Sequence, residues 1–174
     1  MINKLTADEY TELSARFDQF VQDHLPLGSA MGLKVNHYNG DSISLLAPLE
    51  LNDNDKGTAF GGSLYCAAVM AGWSYFYLRC LQYNLTEELP SIVISKAEIE
   101  YLAPVNSSNI IASCSNNDAS MWDEFLNTYK ARGRAKVTLS CLINADGATA
   151  SSTASSTGEE SPAVKFTGTY ALIN

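Results

Sequence analysis

From Gly57 to Leu78 the chain runs for 22 positions without a charged side chain. That length is enough to span a bilayer. Glycines, serines, three tyrosines and a tryptophan dilute the stretch, however, and polar groups of this kind are penalised in lipid. The reading is therefore a buried core helix. Gly61, Gly62, Ser63, Ala67, Ala68, Ala71 and Gly72 are small residues that let such a helix lie close against a sheet. A helix apolar on all sides must be enclosed, and the remaining sequence has to provide the enclosure.

The flanking patterns do so. Thr6-Ala7-Asp8-Glu9 is a capping box. Tyr10, Leu13, Phe17, Phe20 and Val21 then recur at helical spacing, with Pro26 placed just beyond the helix end. Met31, Leu33 and Val35 alternate as a strand, Asn39-Gly40 is a hairpin signal, and Ser42 to Ala47 returns. Pro48 to Gly57 reads as a polar loop. Ile92 to Leu102 reads as a long strand, with Val93, Ala97, Ile99 and Tyr101 on one face and Lys96, Glu98 and Glu100 on the other. A shorter strand over Asn109 to Ser115 precedes a short helix from Ser120 that Gly133 closes. Ala135 to Ile143 alternates as a strand, and Val164, Phe166 and Tyr170 mark the last one. Strands do not alternate with helices, so an antiparallel sheet fits the order better than a doubly wound parallel one. The expected fold class is α+β: an antiparallel sheet wrapped around one long central helix, with an extra N-terminal helix. The 174 residues make one expected domain, with that helix in 1–26 and a Ser/Thr-rich strand and loop stretch in 147–162.

Composition narrows the function. Nineteen acidic residues against eleven Lys and Arg leave a net charge of −8, which argues against nucleic acid as partner. Cys66, Cys80, Cys114 and Cys141 form no C-x-x-C pair, and His24 and His37 have no ligand-like neighbours, so no metal site is expected. The first twenty residues are polar and acidic rather than basic-then-apolar, and the expectation is a cytoplasmic protein without a membrane span.

Phe60-Gly61-Gly62-Ser63 at the start of the central helix resembles the opening of that helix in the hotdog fold. More narrowly, the chain resembles the family of putative thioesterases related to the C-terminal domain of YiiD. The match is carried by Ala47-Pro48-Leu49, Asn52-x-Asn54, Gly57 to Tyr65, Gly72-Trp73, Tyr101 to Val105, Arg132 to Ala135 and Phe166-x-Gly168-x-Tyr170. It runs from about Met31 to the C-terminus, outside the Ser/Thr-rich stretch. The resemblance implies a homodimer, or a dimer of dimers, acting on acyl thioesters of coenzyme A or acyl carrier protein. It implies no cofactor, since the substrate carries coenzyme A or phosphopantetheine. Hydrolysis is the family's label. Some members are malonyl-acyl-carrier-protein decarboxylases, which would feed the initiation of fatty acid synthesis, and that reaction stands beside it. A non-catalytic acyl-thioester binding protein is the third alternative.

The residues bear on this choice. The first backbone N–H groups of a helix lack internal partners and sit at its positive end. Gly61 and Gly62 would let a substrate carbonyl approach those groups and would stabilise an oxyanion or enolate. Tight packing is their other reading. Hotdog hydrolases with a His-Gly-Gly opening have histidine where this chain has Phe60, and often an acidic residue two turns further on. Here Cys66 to Met70 occupies that region, and no Asp, Glu or His lies between Ser63 and Thr86. A base must then come from Asp53 or Asp55, or from Glu98 or Glu100 of a partner subunit. Asn54 matches the catalytic position of the Asn-x-Asn motif and would donate a hydrogen bond to the thioester oxygen, which is what decarboxylation needs. Turn formation is the other reading of Asn52 and Asn54. Thr58 would orient Asn54, bond substrate or cap the helix. Ser63 and Cys66 have no nearby His to activate them as nucleophiles. Asn52, Phe60, Ser63 and Tyr65 are the expected substrate contacts, Tyr65 also fitting a core position. Lys130, Arg132, Arg134 and Lys136 form a basic cluster that is either a solvated face or a grip for phosphates or an acidic carrier, with Arg132 and Arg134 as its centre.

Overall fold

The first helix begins where its capping box places it. In the computed structural model, which describes residues 5–85, 91–116, 118–147 and 162–173, α1 spans Ala7–His24. The Thr6 N–H donates to the Glu9 carboxylate (2.7 Å) and the Glu9 N–H to Thr6 Oγ1 (3.3 Å). Phe17 and Val21 are buried on its inner face. Pro26 does more than follow the helix. It opens a short second helix, α2 (Pro26–Ala30), at a position where the missing N–H has no helical partner to lose. Gly32, with φ of 66°, then turns the chain. The strand expected from Met31 therefore starts only at Lys34. Met31 and Leu33 are buried all the same.

β1 (Lys34–Tyr38) and β2 (Ser42–Pro48) form the hairpin that Asn39-Gly40 signals, with Gly40 at φ of 88°. After a 3₁₀ turn over Leu49–Leu51 comes the uncharged helix, α3 (Gly61–Gln82). Its small residues lie against the sheet. The Tyr170 hydroxyl donates to the Val69 carbonyl (2.8 Å) and fills the space that a Cβ on Gly72 would need. Further along α3, the Arg79 guanidinium is buried over the Trp122 ring (5.0 Å) and donates to the Gly40 carbonyl (3.0 Å), tying α3 to the hairpin turn.

β3 (Ser91–Tyr101), β4 (Asn109–Ser115), α4 (Ala119–Arg132), β5 (Arg134–Ile143) and β6 (Val164–Ile173) complete the chain. The strands make one antiparallel sheet in the order β1-β2-β4-β5-β6-β3, with α3 packed on its inner face. β3 departs from simple alternation: its register against β6 shifts between Ile94 and Lys96. This bulge reverses the face of the residues before it. Val93, expected beside Ala97 and Ile99, pairs with Ala171 on the outer face instead and is exposed. Asp118 caps α4, accepting from the N–H groups of Ser120 and Met121, and Gly133 ends it at φ of 65°. The expected strand and loop at 148–161 lie outside the described residues.

Candidate active site

The opening of α3 is built by the loop before it. Asn52 is buried, and its amide donates to the carbonyls of Met31 (2.9 Å) and Pro48 (2.8 Å). Its backbone carbonyl accepts the N–H of Phe60 (2.8 Å), the N-cap of α3. Asn52 therefore holds the loop to the helix from within, while its Oδ1 is buried without a partner among the described residues. Asp53 pairs with Ala59 in an isolated bridge, and the Ala59 N–H reaches the Val105 carbonyl (2.8 Å).

Between them Asn54 forms a tight turn. Its Oδ1 accepts from the N–H of Lys56 (2.8 Å) and of Thr58 (3.3 Å), and its Nδ2 donates to Thr58 Oγ1 (2.9 Å). Gly57 supports the turn at φ of 71°. The turn reading of Asn54 is thus what the geometry shows: its amide braces the turn, and Thr58 Oγ1 holds the amide in place. Asp53 and Asp55 are exposed, and Asp55 pairs with Lys56 (3.1 Å).

At the helix itself, the N–H groups of Gly61, Gly62 and Ser63 meet no acceptor among the described residues. Phe60 has no side-chain capping bond to offer them. The Tyr101 hydroxyl donates to the Gly61 carbonyl (3.0 Å), and its ring lies beside Gly61. Phe60 (57% exposed), against Gly62, and Tyr101 (52%), against Gly61, make an apolar rim beside those N–H groups. Tyr65 is half-buried, edge-on to Phe166, and burial pushes the Cys66 thiol up, which keeps it protonated. Sequence reasoning gave no role to Tyr101 or Val105. Their signal was membership in the Tyr101-to-Val105 motif, but what they touch follows only from β3 returning past the start of α3.

Other expected groups lie elsewhere. Glu98 and Glu100 pair with Thr167 and Lys165 on the outer face of the sheet, away from α3, and Lys96 holds the Glu98 carboxyl below its ordinary range. Arg132 and Arg134 are exposed at the far end of the sheet. Arg134 pairs with Ile173, whereas Ile143, at the other end of β5, pairs with Val164, the partner of Tyr101. Along β5 the nine steps from Arg134 to Ile143 therefore set Arg134 about 30 Å from the α3 end of the sheet, at ~3.3 Å per residue. The structure brings Asn52, Asn54, Thr58, Phe60, Gly61, Gly62, Ser63 and Tyr101 together and leaves the arginines apart. No group of three or more metal-ligating side chains occurs among the described residues, and no helix there is long and apolar enough to cross a membrane.

An antiparallel sheet around one helix, with a glycine pair at that helix's open N-terminus, is the architecture of the hotdog thioesterases. Residues 14–174 match the putative thioesterase family defined by the C-terminal domain of YiiD, and the chain belongs to that family. Among solved structures it is similar to a protein of unknown function from Chlorobaculum tepidum, 37% identical over 95% of this chain and 96% of that one, with a TM-score of 0.82. A putative thioesterase from Shewanella oneidensis is 25% identical over 94% and 99%, with a TM-score of 0.74. A thioesterase from Haemophilus influenzae, 17% identical over 100% and 96% at a TM-score of 0.65, shares the fold.

Proposed function

We propose that this protein processes acyl thioesters of coenzyme A or acyl carrier protein at the N-terminus of α3, with hydrolysis as the reaction. The observation that carries this reading is the set of unpartnered N–H groups at Gly61, Gly62 and Ser63, open to approach because two of the three residues lack a Cβ. A thioester oxygen placed there meets aligned donors and the positive end of a 22-residue helix. Phe60 and Tyr65 flank the acyl group. Asp53 or Asp55 activates the water. The protein acts in the cytoplasm as a homodimer and needs no cofactor.

A second reading, decarboxylation of malonyl-acyl carrier protein, is favoured by one specific feature: α3 carries no Asp, Glu or His. Loss of carbon dioxide needs no activated water, only a polarised thioester oxygen, and Asn54 Nδ2 joins the helix N–H groups in supplying it. Here Thr58 positions the Asn54 amide. Incubation with malonyl- and acetyl-acyl carrier protein, following carbon dioxide and free thiol separately, divides the two. Free thiol from acetyl-acyl carrier protein supports hydrolysis, and carbon dioxide without thiol supports decarboxylation. Binding without either product leaves only a thioester-binding protein.

A further inference from the structure

A groove of about 740 Å³ runs between α4 and the Arg134 end of β5 and β6. Phe125, Val137 and Leu172 give it an apolar floor, and Arg132, Arg134 and Lys136 stand on its rim with the single acid Glu124, which leaves the rim net positive. Its volume lies within the range of small-molecule sites, roughly 300–1,000 Å³. A cationic rim on a chain of net charge −8 singles out an anionic ligand. Phosphates suit it, because arginine forks bind them through paired, charge-assisted hydrogen bonds. The apolar floor matches a flat aromatic base. Within one chain, though, the Arg134 end of the groove lies about 30 Å along β5 from the end nearest the α3 opening, too far for one thioester substrate to reach both.

The sheet edge removes that difficulty. β3 ends the sheet, so one side of it has no strand partner among the described residues, and Val93, Ile94, Tyr101 and the adjoining Leu102 are exposed along it. Two copies joined antiparallel along β3 about a two-fold axis place the Tyr101 end of one strand beside the Ser91 end of the other. Ser91 pairs with Ile173, and Ile173 with Arg134. From β3 of one copy to β5 of the other is then three strand spacings, about 14 Å at ~4.8 Å each. An extended pantetheine arm is comparable to five residues of extended chain, about 17 Å.

We propose that the α4–β5 groove binds the phosphorylated adenosine of a coenzyme A thioester whose acyl carbonyl sits at the α3 opening of the second copy. The inference rests on the thioester reading above and adds the carrier and the subunit that grips it.

Mixed dimers test it. One chain carries Arg132→Glu with Arg134→Glu; the other carries Gly61→Val; the two bear different tags and are purified through both. The arginine variant alone should raise KM for acyl-CoA about tenfold or more at low salt, and leave KM for the same acyl-pantetheine, which lacks the nucleotide, unchanged. Gly61→Val alone should be inactive. The mixed dimer should show wild-type KM for acyl-CoA with about half the wild-type kcat, since its single intact opening faces an intact groove. A mixed dimer that keeps the high KM of the arginine variant overturns the arrangement across subunits. Equal losses on acyl-CoA and acyl-pantetheine, or an unchanged KM for acyl-CoA, overturn the groove as the nucleotide site. Wild-type turnover of acyl carrier protein but not of acyl-CoA also overturns it while leaving the proposed function standing. Absence of turnover on every thioester removes that function too.

Discussion

Two glycines at the start of α3 differ in what a side chain would meet. A Cβ on Gly61 lies 3.7 Å from the Tyr101 ring, an ordinary contact, whereas one on Gly62 comes within 2.5 Å of the Phe60 ring. Gly61→Val should therefore fold and melt close to wild type while its methyls cover the N–H groups. The expected loss is on the order of 100-fold in kcat, the scale of removing an oxyanion donor. A folded Gly61→Val with full activity would falsify the placement of the site. Asn54 permits a second discrimination. Asn54→Asp keeps the oxygen that accepts from Lys56 and Thr58, so the turn survives, but it removes the Nδ2 donor and sets an anion where charge develops. With Asn54 as donor, Asn54→Asp should fall about 100-fold or more in kcat at nearly unchanged melting temperature, at least as far as Asn54→Ala. Wild-type kcat in Asn54→Asp would reduce the amide to a brace for the turn.

At the scale of elements, α1 is fastened to β1 by a half-buried acid. Asp18 Oδ1 accepts the Val35 N–H at 2.7 Å. Burial raises the Asp18 pKa and outweighs the lowering by that bond and by Lys34. The sign follows: the folded chain holds this proton more tightly than the unfolded chain. Stability from this group thus falls as pH rises from the ordinary carboxylate range through the raised value. Asp18→Asn keeps an acceptor and removes the charge. It should melt higher than wild type at pH 7, and the difference should disappear near pH 3; equal melting at both would show that the carboxylate is not desolvated in effect. The helices themselves were legible in the sequence, because caps and uncharged runs are local signals: Thr6-x-x-Glu9 and Gly57 to Leu78 place α1 and α3 without tertiary knowledge. The β3 bulge was not legible. Ser91 to Ile94 fits either face until the pairing with β6 is known, so Val93 was expected on the wrong one. The same limit applies to the site. Residues close in sequence, from Asn52 to Ser63, were found together, while Tyr101 and the position of Arg132 and Arg134 depend on strand register, which local pattern does not encode.

At the scale of the whole molecule, the β3 edge of the sheet is open among the described residues. In a single chain of 18.8 kDa, the outer side of β3 has no strand partner among the described residues, and the exposed Tyr101 beside Gly61 continues that edge into the rim of the site. Covering it would bury apolar surface, pair the edge and exclude water from the α3 opening at once, so assembly and activity should fail together. Light scattering at micromolar concentration should give twice the chain mass. Val93→Lys with Ile94→Lys places two charges on β3 at positions exposed in the single chain, so the cost to the isolated fold should be small, within about 0.5 kcal/mol for each. The double variant should scatter as a monomer, melt as a folded protein, and lose at least about tenfold in kcat/KM, more than 1.4 kcal/mol of transition-state stabilisation. A wild-type chain that is monomeric and fully active, or a monomeric double variant with unchanged kcat/KM, would show that each α3 opening works without a second copy.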